Sequence, residues 1–340
     1  MLVMRSEVAI ERYCGLELLP RGTSPHLRRS SVAAGPRSAR SGSFSDMPIA
    51  QANGIELYYD TLGESDDPPL LLIMGLGAQA IAWSEEFCQG FVDRGFFVIR
   101  FDNRDIGLST KFEGTPNLMT LAMAAMSGQP VEAPYTIADM AADAAALLDH
   151  LGVAAAHVVG ASMGGMIAQQ LAIDHPGRVS SLTSIMSTTG EPDVGQPAPE
   201  AISVLLAAAP TTREDVLARA VAAAAVIGSP EHGDQDRTRA IAGAQYDRCF
   251  RPDGPVRQLA CVLASGSRAE GLAALEVPTL VLHGTEDKLV NVSGGERTAE
   301  LVPGAELQLL EGMGHDLPVY FWSRVIESIT RHAATAASAQ

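Results

Sequence analysis

From Ile49 onward, short apolar runs take turns with helical patterns, and that alternation leaves the chain few architectures. The runs "LLLIM" (70–74), "FFVIRF" (96–101), "HVVG" (157–160), "SSLTSIM" (180–186), "PTLVLHG" (278–284) and "ELQLL" (306–310) have the composition of strands buried on both faces. Helical patterns fill 84–94, 136–151, 163–174 and 294–302, and a last helix is expected over 319–332. Such an order predicts a mostly parallel central sheet flanked by helices, the α/β class. "IELYYDTL" (55–62) follows Asn53-Gly54, a dipeptide that tolerates positive φ at both positions and so signals a hairpin at the start of the sheet.

Two stretches break the pattern. Over 187–267 strands vanish and alanine-rich helical segments, interrupted by Pro and Gly, take over, which predicts a helical cap inserted into a core made of 48–186 and 268–334. Residues 1–47, rich in Ser, Arg, Gly and Pro, carry no apolar period and are expected to be a disordered extension, as are 335–340. Glu7, Glu11 and Glu17 argue against a transit peptide, and the first twenty residues lack a secretory apolar core. Because Met47 directly precedes the first strand-like segment, we expect the native start there; an intact mass that includes Met1 refutes this.

With 340 residues, 46% of them hydrophobic, the chain can bury a large core. A formal net charge of −16 opposes binding to a phosphate backbone, so no nucleic-acid partner is expected. No run of about 18 uncharged apolar residues exists to span a membrane. Cysteines at 14, 88, 249 and 261 lack C-x-x-C spacing and read as buried or idle thiols rather than a zinc site or a disulfide framework. Without a recognised signal or span, the cytoplasm is the expected location.

The segment "HVVGASMGGMIAQQLA" (157–172) carries the chemistry. A strand ending at Gly160, with a helix starting near Met163, forces Ser162 through a sharp turn and toward positive φ. Gly160 and Gly164 make the spacing G-x-S-x-G, in which small neighbours allow the turn that exposes the hydroxyl. The helix N-terminus also offers unpaired N–H groups, so the Met163 N–H is an expected oxyanion donor. A second donor is expected from "IMGLGAQAIAW" (73–83), whose Gly75 and Gly77 let the backbone approach a substrate; the Leu76 N–H is our choice.

A serine needs a base, and the base needs a carboxylate to orient it. His315 lies in "EGMGHDLP" after the last strand, and Asp287 lies in "HGTEDKLV" after the strand before it. The order Ser, Asp, His, with all three at strand C-terminal ends, is the one expected on this sheet. Glu286 is a rival for the acid, and Asp316 adjoins the histidine. His283 ends an apolar strand and is expected to be a packed residue. No H-E-x-x-H or clustered ligand set occurs, so neither a metal nor a cofactor is expected. "FDNRDIGLST" (101–110) reads as a structural polar loop with Asp102 and Arg104 paired.

Together "LIMGLG", the tryptophan after it, "RFDNRDIGLST", "VVGASMGGMIAQ", "DHPGRVSSLT" and "EGMGHDLP" resemble the α/β-hydrolase superfamily over roughly 49–332. Within it they look most like the aclacinomycin methylesterase group and related actinobacterial lipase/esterases. The resemblance implies Ser162 as nucleophile, Asp287 as acid, His315 as base and Leu76 and Met163 as oxyanion donors. Many superfamily members have His before the glycine of the oxyanion loop; Met74 stands here, which leaves the backbone donor available. Serine at the elbow speaks against haloalkane dehalogenases and epoxide hydrolases, which carry Asp there.

The expected function is therefore a cofactor-free serine hydrolase acting on a small, apolar carboxylic ester. Thioesterase, lipase, phospholipase and perhydrolase chemistry would use the same residues. A receptor-like protein with a slow triad is the reading from another class, and rapid turnover separates it from an esterase. Because the base must be neutral, activity is expected to rise from weakly acid to neutral pH.

Overall fold

The computed structural model describes residues 48–338. The expected N-terminal extension lies outside the described residues. Strands β1 (Ile49–Ala52) and β2 (Ile55–Leu62) form the hairpin signalled by Asn53-Gly54, and both turn residues take positive φ, 49° and 79°. The chain continues through β3 (Pro69–Ile73), α1 (Glu85–Val92), β4 (Phe97–Phe101), α2 (Leu118–Met126), α3 (Ile137–His150), β5 (Ala156–Ala161), α4 (Met163–Asp174) and β6 (Val179–Ile185). Four helices follow before the sheet resumes: α5 (Pro199–Leu205), α6 (Arg213–Ile227), α7 (Gln235–Arg248) and α8 (Gly254–Ala264). A short α9 (Ala269–Ala273) then leads into β7 (Thr279–Gly284), α10 (Ser293–Leu301), β8 (Glu306–Leu310) and α11 (Val319–Ser338).

The eight strands pair in the order β1-β2-β4-β3-β5-β6-β7-β8. Pairings of β2 with β1 and with β4 are antiparallel, and all others are parallel. Side chains alternate across a strand, so each central strand feeds two cores. From β3, Leu71 and Ile73 enter a cluster with Ile167 and Leu171 of α4 and Leu147 and Leu148 of α3. Leu70 and Leu72 enter the other, with Phe87 and Phe91 of α1 and Val325 and Ile329 of α11. All four β3 side chains are fully buried, each worth roughly 1.5–3 kcal/mol of transfer from water. That is why these strands read as continuous apolar runs instead of alternating ones.

Helix starts follow local chemistry. Thr136 and Asp139 form a reciprocal capping box at α3, and Thr212 and Asp215 do the same at α6.

The structure departs from the sequence reading at four places. The helix α2 was not expected: "LMTLAMAAM" is apolar at nearly every position and so shows no period, and its Met119 and Met123 are exposed. The last helix does not stop at 332 or 334, and the expected tail begins as helix up to Ser338, because Ala333 and Ala336 continue the buried face of Phe321, Val325 and Ile329. Asp102 and Arg104 do not pair. Asp102 turns to Arg248 of α7 at 2.7 Å and to the Ala80 N–H at 2.7 Å, while Arg104 turns to Asp143 of α3 at 2.6 Å. Each ion found a better-enclosed partner on another element. Cys88 and Cys261 are free and buried, and burial pushes both thiols up to about 12, whereas Cys249 is disulfide-bonded, against the expectation of idle thiols throughout.

Candidate active site

The sharp turn at the end of β5 is present in full. Ser162 has φ 56° and ψ −122°, a conformation an L-residue keeps only when its surroundings enforce it, at a cost of about 1–3 kcal/mol. The enforcement is visible. The Ser162 N–H donates to the Ile185 carbonyl at 2.9 Å, and the Ser162 carbonyl accepts from Gly165 N at 2.9 Å. A β-carbon on Gly160 would lie 2.0 Å from the Gly164 carbonyl oxygen, and one on Gly164 would lie 2.1 Å from that of Ile73. Neither contact can be relieved without moving backbone, so both positions require glycine.

His315 comes from the loop between β8 and α11. Its backbone N–H is held by the Ile227 carbonyl at the end of α6, at 2.6 Å, and the Gly314 N–H by the Ser229 hydroxyl at 3.0 Å. The imidazole Nε2 lies 2.9 Å from Ser162 Oγ, and Nδ1 lies 2.7 Å from Asp287 Oδ2. Asp287 is 5% exposed, and its Oδ1 accepts from Leu289 N at 2.9 Å and Val290 N at 2.8 Å. Burial alone would raise this carboxyl. The charge of His315 and the hydrogen bonds from His283, His315 and Val290 outweigh it and hold the group at about 2.

Of the rival acids, Glu286 is exposed and Asp316 is occupied by the Ser229 N–H and hydroxyl. His283 is fully buried beneath the acid loop, its Nε2 2.8 Å from the Val290 carbonyl and 3.5 Å from Asp287 Oδ2.

The loop after β3 lies against the serine: a β-carbon on Gly75 would be 3.1 Å from Ser162 Cβ. Its N–H groups are nearly all used. Gly77 N donates to Gln258 Oε1 at 2.8 Å, Ala78 N to the Gly75 carbonyl at 3.3 Å, Gln79 N to Gln245 Oε1 at 2.7 Å, and Ala80 N to Asp102. Leu76 N–H and Met163 N–H have no acceptor among the described residues. Two backbone donors, one at the start of α4 and one in the loop after β3, are thus left open.

Sequence reasoning missed the side chains that hold this loop. Gln258 of α8, fully buried, bridges the Gly77 N–H and the Arg104 carbonyl. Gln79 donates to the carbonyls of Gln245 and Cys249, and Asn103 donates to the Met74 carbonyl at 2.8 Å. Arg257, also fully buried, forks onto Asp105 at 2.8 Å and reaches Asp253 at 2.7 Å. No local motif announces any of these contacts, since most partners are more than a hundred residues apart.

A cavity of about 1470 Å³ opens on Ser162 and His315. Leu205, Val216, Ala220, Ile241 and Leu259 from α5 to α8 line part of it, opposite Trp83, Phe87 and Trp322 of the core. Among the described residues no group of three His, Cys, Asp or Glu side chains could hold a metal ion, and no helix is long and apolar enough to cross a membrane.

The sequence model of the α/β-hydrolase fold matches residues 68–320, three quarters of the chain. The chain belongs to the α/β-hydrolase fold family. Among the relatives of this α/β hydrolase is rhodomycin D methylesterase DnrP of Streptomyces peucetius, 31% identical over 304 residues, which cover 83% of this chain and 96% of the relative. The 3-oxoadipate enol-lactonase 2 of Acinetobacter baylyi is 27% identical over 270 residues, covering 79% and 89%. The crystal structure of esterase RhEst1 from Rhodococcus sp. ECU1013 superimposes with a TM-score of 0.66 at 22% identity, over 85% of this chain and 98% of the esterase, a likeness of fold.

Proposed function

We infer that the protein is a serine carboxylic ester hydrolase in which Ser162, His315 and Asp287 form the catalytic triad. The observation that carries this reading is the hydrogen-bond chain Ser162 Oγ, His315 Nε2 and Nδ1, Asp287 Oδ2, beside two open backbone N–H groups. The names of its relatives, a methylesterase and an enol-lactonase, support the reaction class.

His315 takes the hydroxyl proton as Ser162 Oγ attacks the ester carbonyl. The resulting oxyanion binds the Leu76 and Met163 N–H groups, each such donor being worth roughly 3 kcal/mol. Asp287 fixes the imidazole with Nδ1 protonated and stabilises the imidazolium. His315 then protonates the leaving alcohol, and a water deprotonated by the same imidazole releases the acid and restores Ser162.

Residues 187–267 act in this reading as a cap over the core formed by 48–186 and 268–334. The mainly aliphatic and aromatic lining fits a small ester with an apolar acyl or alcohol part.

The test is labelling with a fluorophosphonate followed by intact mass. Wild type should gain one adduct and Ser162→Ala none. Absence of the adduct on folded wild type, or an equal adduct on the variant, would sink the assignment.

A further inference from the structure

The cavity carries a cation that the ester chemistry above does not use. Arg268, in the segment between α8 and α9, lines the cavity and is 5% exposed. Its Nε donates to Gln169 Oε1 at 3.1 Å and its Nη2 to the Thr188 carbonyl at 2.8 Å. Nη1 has no protein acceptor among the described residues, yet it is not shut off from solvent. No carboxylate among the described residues pairs with this guanidinium. Glu191, three residues past Thr188, is taken by Arg297 at 3.0 Å and by Thr189.

A buried cation without a counter-charge is costly to keep, and a protein retains one most readily where a ligand supplies the opposite charge. Burial pulls this guanidinium down to about 10. The acids on the cavity wall are spent elsewhere: Asp105 on Arg257, Glu191 on Arg297, Asp316 on Ser229, and Asp234 on the Arg237 N–H. Two half-buried arginines on the wall, Arg219 and Arg251, also meet no carboxylate among the described residues. Among the described residues none of the wall acids pairs with Arg268, so its charge has no local counter-charge although the chain as a whole carries −16.

We propose that Arg268 is an anion subsite, and that the ester accepted by this cavity carries a carboxylate at the end remote from the scissile bond. Geometry sets the scale. Ile185, whose carbonyl accepts the Ser162 N–H, is three residues from Thr188, whose carbonyl accepts from Arg268, and that length of chain spans at most about 11 Å. On that scale we match a medium-length aliphatic or ring system between the ester and the carboxylate. This proposal rests on the ester-hydrolase reading.

The experiment compares monomethyl suberate with methyl octanoate, esters of equal chain length that end in a carboxylate and in a methyl group. Wild type should favour the acid-ended ester in kcat/KM by about tenfold or more, as expected for a charge-assisted hydrogen bond in a buried site. Arg268→Met should abolish the preference while methyl octanoate turnover stays within about twofold, and Arg268→Lys should recover part of it. If Arg268→Met fails to fold, inhibition of wild type decides: suberate should compete with methyl octanoate and 1,8-octanediol should not. Equal wild-type rates on the two esters with no suberate inhibition, or equal losses on both in Arg268→Met, overturn the subsite and leave the hydrolase standing. No cleavage of either ester, together with no fluorophosphonate adduct, overturns both.

Discussion

Replacing Asp287 by Asn tests the triad most sharply, because the structure fixes how the amide must sit. Leu289 N–H and Val290 N–H both point at Oδ1, at 2.9 and 2.8 Å, and demand an acceptor there. The amide oxygen therefore takes that position and the amide NH2 faces His315 Nδ1, which lies 2.7 Å from the present Oδ2. Nδ1 must then accept, so the ring proton moves to Nε2, the atom that has to take the proton from Ser162. A base in the wrong tautomer loses about four orders of magnitude in kcat. Hydrolysis of p-nitrophenyl butyrate provides the assay, with fluorophosphonate labelling slowed in parallel. Glu286→Gln, at an exposed position, should keep wild-type rates within about twofold. An Asp287→Asn enzyme within about tenfold of wild type would refute the derivation, and a matching loss in Glu286→Gln would transfer the role.

The same substitution carries a stability signature. Holding the Asp287 carboxyl at about 2 against an ordinary 3.8 contributes on the order of 2 kcal/mol to the folded state above the carboxylate range. The folded pKa is the lower one, so this contribution is complete above roughly pH 5 and is lost as the pH falls through about 2. Urea unfolding should show wild type ahead of Asp287→Asn at pH 7, by up to that amount, with the gap closing on acidification. A gap that widens toward low pH contradicts the sign.

Gly164→Ala places a β-carbon 2.1 Å from the Ile73 carbonyl oxygen and should cost about 3 kcal/mol or more, read as a fall in Tm, while Gly177→Ala, with open space at its β-carbon, should leave Tm unchanged. Gln258→Leu frees the Gly77 N–H and the Arg104 carbonyl and loosens the loop that presents the Leu76 N–H; kcat should fall about tenfold with KM within about twofold, and Gln258→Glu, which still accepts from Gly77, should recover part of the loss.

What the sequence disclosed and what it hid divide along a physical line. The strand runs of β3 to β7 were legible because a parallel sheet covered on both faces demands unbroken apolar residues. Ser162 was legible because a strand-to-helix turn at positive φ leaves no room beside it, and the close approaches at Gly160 and Gly164 impose glycine at fixed spacing. Asp287 and His315 were expected from their loops and chain order, and the structure brings both side chains into one hydrogen-bonded chain with Ser162.

The polar contacts joining α7 and α8 to the loops after β3 and β4 left no such trace. Arg248 reaches Asp102, Arg257 reaches Asp105, Gln258 reaches Gly77, and Gln245 reaches Gln79, across 146, 152, 181 and 166 residues. These loop charges find their partners by enclosure and not by proximity in sequence, which is why Asp102 and Arg104, two residues apart, do not pair. The consequence bears on the chemistry. Because Gln258 and Gln245 accept from the Gly77 and Gln79 N–H groups, while Asp102 and the Gly75 carbonyl take those of Ala80 and Ala78, the helices that line the cavity help decide which backbone donor of that loop stays open. In the proposed mechanism this couples substrate selection to oxyanion stabilisation, so a substitution in α8 that alters the pocket is also read for its effect on the Leu76 N–H.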